Sequence, residues 1–142
     1  MNDAAFNVYA GCAGLLVLNL AFLSFYTGLV RSRLKAYINP EDWAVTKSPE
    51  REAEHEDVQR IHRAHRNALE NILPTLAVGW LFVMSGATPG AVRAYMITFA
   101  AARVLHTAVY LAELQPWRTL TFFAGWFCTV GMAVQLVLKA VA

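Results

Sequence analysis

Charge is what this sequence is short of. Asp, Glu, Lys and Arg together make up 15% of the chain, against about 25% in a typical soluble domain. Cysteine is scarce as well. Cys12 and Cys128 each sit inside an apolar run and form no C-x-x-C pair, which argues against a disulfide framework or a thiolate metal site. There is no glycine-rich phosphate loop, no G-x-S-x-G elbow, no internal repeat and no low-complexity tract. A net charge of +2 is too small to recruit nucleic acid. Hydrophobic residues fill the space instead, at 57%, above the roughly 45–50% of a soluble domain. That content excludes a disordered chain, and it does not suit a small soluble fold whose surface must be wetted.

The apolar residues come in four runs. Ala4 to Val30 carries no charge; Asn71 to Pro89 carries none; Ala94 to Leu114 is interrupted only by Arg103, His106 and Glu113; Leu120 to Leu138 is again uncharged. A helix needs about 20 mostly apolar residues to cross a bilayer. The first run is too long for a secretory signal, and no basic residue precedes it. Thr88-Pro89-Gly90 and Gln115-Pro116 break the later runs apart. The expected architecture is an all-α integral membrane domain over 1–142, a bundle of four transmembrane helices at about 4–34, 60–87, 91–114 and 118–141, with a polar loop at about 35–59.

Eight of the twelve Lys/Arg residues lie between Arg31 and Arg66. The positive-inside rule therefore places the long first loop in the cytoplasm, with the Leu114–Arg118 turn on the same side and both termini opposite.

Ionisable groups inside a membrane helix are costly and face a bundle interior or a wet cavity. Arg63, Arg66, Asn67 and Glu70 fall at i, i+3, i+4 and i+7 on the second helix, one face of it. Arg103, His106 and Tyr110 share a face of the third, Arg118 and Thr119 open the fourth, and Arg31 ends the first. With the expected topology all of these groups lie at one depth of one leaflet. Arg31, Arg33, Lys35 and Arg118 could also be explained by snorkelling to the headgroups. Arg103 and Glu70 lie too deep for that, and an Arg103–Glu70 ion pair would satisfy both. His62 and His65 stand at i, i+3, but interfacial histidines are far commoner than ligands, so no metal is expected. Guanidiniums, an amide, a phenol and an acid facing inward suit a small polar molecule bearing carboxylates and an amine, with an apolar second substrate arriving from the bilayer.

The string R-A-H-R-N at Arg63–Asn67, with Glu70 and Pro74, resembles the signature of the MAPEG family, the membrane-associated proteins in eicosanoid and glutathione metabolism. V-R-S-R at Val30–Arg33, N-P-E-D at Asn39–Asp42, R-V-L-H-T-A-V-Y-L at Arg103–Leu111 and P-W-R-T at Pro116–Thr119 are most similar to its microsomal prostaglandin E synthase branch. The resemblance implies a homotrimer in membrane lipid, with glutathione held between subunits near the cytoplasmic face. It implies that Arg31, Arg66, Asn67, Glu70, His106, Tyr110, Arg118 and Thr119 hold glutathione. Arg63 and Arg103 would brace the pocket, Arg118 and Thr119 would lie nearest the sulfur, and Asp42 would match an acid that assists the chemistry. The implied activity is conjugation of the glutathione thiolate to a lipophilic electrophile, or reduction or isomerisation of a lipid peroxide. The branch has serine at Thr119, tyrosine at Phe122 and a turn one residue longer before Arg118. A non-catalytic lipid-binding adaptor of the same fold would have apolar residues at the contact positions. A small exporter would have a carboxylate near mid-bilayer.

Overall fold

The computed structural model describes residues 2–142, and among them every regular element is a helix. Helix α1 spans Asp3–Leu34, α2 Pro40–Thr46, α3 Glu56–Met84, α4 Pro89–Leu111 and α5 Trp117–Val141. All but α2 are long and apolar enough to cross a membrane. Leu18, Phe25, Phe127 and Val137 lie on the outside of the bundle. Lipid, unlike water, solvates such a surface, and helices satisfy every backbone group without it. The chain is an integral membrane four-helix bundle.

Polar caps fix where the spans begin and end. The Asn2 side chain accepts from Ala4 and Ala5 N–H at 3.0 and 3.3 Å. Lys35 in the left-handed region terminates α1, and Ala36 N–H returns to Arg31 O at 2.9 Å. α3 begins four residues before the expected position, because His55 Nδ1 accepts from Asp57 N–H at 3.3 Å and Glu56 and Asp57 complement the helix dipole. It ends at Met84, short of the expected 87, where Gly86 takes φ +81°. Thr88 caps α4 by accepting from Ala91 N–H at 3.2 Å, with Pro89 preset for the first turn. Glu113 at φ 63° closes that helix after Leu111, three residues early. The expected loop at 35–59 contains the short helix α2, which Asn39 and Pro40 start.

α3 and α4 pack on each other and on both outer helices, while α1 and α5 do not touch. The buried stripe of α3 runs Ile61, Ala64, Ala68, Ile72, Thr75, small enough for close approach of the helices. Two apolar clusters fill the bundle. One contains Leu16, Leu23, Ala68, Phe99 and Cys128; the other, toward the termini, contains Ala5, Phe82, Met96 and Met132.

Candidate functional site

α3, α4 and α5 converge on a polar cavity at the loop end of the bundle. Its volume is about 240 Å³, and it is lined by Asn67, His106, Tyr110, Gln115, Arg118, Thr119 and Phe122. No carboxylate is among these residues, so the site favours an anion.

The spacing of α4 puts His106 and Tyr110 on one face, their rings 5.7 Å apart edge to face. His106 is buried with Nδ1 3.1 Å from Thr121 Oγ1. That hydroxyl donates to Trp117 O at 2.8 Å, so it accepts from the imidazole and fixes the proton on Nδ1. Nε2 is then a buried acceptor without a partner. The Arg118 guanidinium lies over the Tyr110 ring at 5.0 Å.

Gln115 links the two residues that open α5. With its amide oxygen toward the guanidinium it accepts from Arg118 Nε at 3.1 Å and Nη2 at 2.7 Å, and its amide nitrogen donates to Thr119 Oγ1 at 3.2 Å. The opposite orientation would set the amide nitrogen against guanidinium donors. In this arrangement the Thr119 hydroxyl keeps its own hydrogen free.

Arg103 lies behind the cavity at 1% exposure. The ion pair with Glu70 that the sequence suggests does not form. Nη1 donates to Asn67 Oδ1 at 3.3 Å and Nη2 to Phe122 O at 2.9 Å. The Phe99 and Phe122 rings lie 5.6 and 5.3 Å from its Cζ. Glu70 is two residues from Ala68 and so faces away from the buried stripe of α3; it is exposed.

Of the residues singled out in the sequence, the cavity gathers Asn67, His106, Tyr110, Arg118 and Thr119. Arg63, Arg66 and Glu70 lie on the exposed side of α3, outside the lining. Arg31 also lies outside it, held by Glu54 through Nε–Oε1 at 2.8 Å and Nη2–Oε2 at 2.9 Å. Asp42, on α2, accepts from Asn39 Nδ2 at 3.1 Å and lines no part of the cavity. Gln115 and Glu54 carry contacts that the sequence analysis did not foresee. Gln115 stands in a turn and Glu54 in an acidic loop, so neither has helical periodicity to mark it.

The donors present fit a peptide with carboxylates. Arg118, Thr119 and the amide nitrogen of Asn67 can donate to oxygen or sulfur anions.

The sequence model of the MAPEG family matches residues 9–138. Human microsomal glutathione S-transferase 1 is 35% identical, covering 96% of this chain and 92% of its own. Human prostaglandin E synthase is 34% identical, covering 99% and 93%. Rat microsomal glutathione S-transferase 1 is 35% identical over the same shares as its human counterpart. The chain is thus similar to transferase and synthase to the same degree.

Proposed function

The chain belongs to the MAPEG family, and on that premise we propose that its polar cavity is one part of a glutathione site completed by a neighbouring copy in a homotrimer. It is a glutathione-dependent membrane enzyme. When bound, glutathione supplies a thiol that serves as its thiolate for conjugation to a lipophilic electrophile or for reduction or isomerisation of a lipid peroxide.

A free thiol titrates near pH 8.5, so only about 3% of it is ionised at neutral pH. Arg118 is the group that raises this fraction. Its guanidinium is held by Gln115 and lies over the face of Tyr110, and its positive charge favours a nearby anion. Thr119 accepts from Gln115 and so directs its own hydroxyl hydrogen into the cavity, where it can donate to sulfur. His106 lines the cavity beside Tyr110 and shapes it around the peptide. Asn67, oriented by Arg103, donates to a carboxylate.

Arg66 and Glu70 on the exposed face of α3, with Arg31 at the end of α1, are the groups a neighbouring copy would bring to the same ligand. The arginines would bind carboxylates and Glu70 the ammonium. Arg63 would brace that face, and Asp42 would act as an additional acid toward the lipophilic substrate. The long loop faces the cytoplasm on this reading, since eight of the twelve basic residues lie between Arg31 and Arg66.

The observation that carries the proposal is the carboxylate-free polar cavity built around a restrained Arg118. An adaptor would have no use for such a lining. Arg118→Ala should lower turnover at least about tenfold, against both an aryl chloride and an organic hydroperoxide, with helicity retained. Unchanged turnover would remove Arg118 from the chemistry. Millimolar glutathione should also raise the melting midpoint of the detergent-solubilised protein.

A further inference from the structure

Away from the polar cavity, two other hollows of the bundle adjoin each other and have lining residues in common. The first, about 220 Å³, opens at the loop end among Arg33, Asp57, Arg60 and Glu113. The second, about 680 Å³, is a groove between α1 and α4 with Leu15, Leu18 and Phe22 on one wall and Val104 and Ala108 on the other. Tyr26 and Leu111 line both.

The groove is mostly apolar. Its polar side chains Asn19 and Thr107 bond each other, with Asn19 Nδ2 donating to Thr107 Oγ1 at 3.0 Å. Phe22 and Tyr26 stack at 5.5 Å to form a smooth wall. From Tyr26 to Leu15 the groove follows about 16 Å of helix, which is half of a hydrocarbon core of roughly 30 Å. It therefore runs the depth of one leaflet.

The mouth is different in kind. Arg60 Nη2 lies 3.0 Å from Glu113 Oε1, while Arg60 Nε is buried without a partner. Arg33 has no acidic partner among the described residues, and no Lys or Arg among them pairs with Asp57. Two guanidiniums and two carboxylates thus face one small opening. That balance matches neither a plain anion nor a plain cation.

We propose that these adjoining hollows seat one membrane phospholipid with a zwitterionic headgroup. Its phosphate lies between Arg33 and Arg60, its ammonium faces Asp57 and Glu113, and an acyl chain fills the α1–α4 groove. Val104, Ala108 and Leu111 occupy a different face of α4 from Arg103, His106 and Tyr110, so this seat is separate from the glutathione cavity and does not depend on how that cavity is used. A second copy of the chain is the poorer occupant, because it would have to bury the charged mouth.

The test compares three additives on the delipidated, detergent-solubilised protein: a phosphatidylcholine, a diacylglycerol with the same chains, and glycerophosphocholine. Phosphatidylcholine should raise the melting midpoint by at least about 3 °C, and the other two by much less. Ala108→Trp, which fills the groove, and the pair Arg33→Gln with Arg60→Gln, which removes the phosphate contacts, should each lose most of that rise with helicity and elution volume unchanged. Should a tryptophan at 108 prevent folding, Leu18→Trp, at a position already 67% exposed, makes the same test. Equal responses to phosphatidylcholine and diacylglycerol, or a full response in the variants, would overturn the proposal. So would a tryptophan variant that splits the oligomer, since the groove would then lie between copies.

Discussion

Among the described residues Arg103 has no carboxylate partner, although it is the most buried charge of them. Leaving a guanidinium in the interior is expensive unless its donors are used. Here a side-chain amide and a helix carbonyl take one hydrogen each from Nη1 and Nη2, two ring faces flank the charge, and Nε stays buried without a partner. One consequence is that Asn67 Oδ1 is occupied, so its NH2 group points to the cavity. Gly125 makes the arrangement possible: a Cβ there would lie 2.8 Å from Arg103 Nε and 2.9 Å from Nη2. The guanidinium cannot retreat without breaking the bonds to Asn67 and Phe122. Gly125→Ala should therefore destabilise the protein by about 1–3 kcal/mol and weaken glutathione binding through the freed Asn67. Thermal denaturation and a glutathione titration measure the two effects, and an unchanged midpoint with unchanged affinity would contradict this account of Arg103. The sequence placed Arg103 and Asn67 on facing helices but suggested Glu70 as the partner. Periodicity says which residues share a face; it does not say how far one helix is rotated against the next.

The four spans were legible because their evidence is local. An uncharged run longer than a bilayer needs no tertiary information, and N-caps with glycine or proline breakers are short-range signals. The ends drifted by up to four residues where a cap lay in polar sequence, as with His55 before α3. α2 was missed for the related reason that seven residues give too little apolar pattern, although Asn39-Pro40 is an N-terminal signature. The connection between α1 and α3 is where sequence reasoning failed most. Glu54, one of several loop acids, binds Arg31 with both oxygens and lies 3.5 Å from His62 Nδ1. It thereby ties the loop to the ends of both helices. Arg31 retains the donors of its Nη1, so Glu54 orients the guanidinium without consuming it. On the proposed reading, Glu54→Ala should raise the KM for glutathione about threefold to tenfold, with a smaller change in kcat. Steady-state kinetics at saturating lipophilic substrate decides it. An unaltered KM would mean that Arg31 serves only to anchor the loop.

At the scale of the whole molecule, the separation of Arg31, Arg66 and Glu70 from the cavity carries the argument for assembly. In one copy they lie outside the lining that contains Arg118. In the proposed homotrimer, a closed ring that repeats one heterologous interface, each site takes one edge from one copy and the other edge from its neighbour. Subunits carrying Arg31→Ala and subunits carrying Arg118→Ala should each be nearly inactive alone, because every site lacks one edge. Co-expressed in equal amounts, they assemble at random. Half of all subunits offer an intact Arg31 edge, and half of their neighbours offer an intact Arg118, so about one quarter of the sites become whole again. Tandem purification of oligomers carrying both tags removes the unmixed rings, and each mixed trimer then holds one whole site in three, so recovery to about one third of parental turnover is the expected result. Mixed oligomers that stay at the level of the separate variants would mean that both arginines act within a single copy, and the shared site would have to be abandoned. The measurement does not depend on which lipophilic substrate is natural, since any electrophile turned over by the parental protein reports the same ratio.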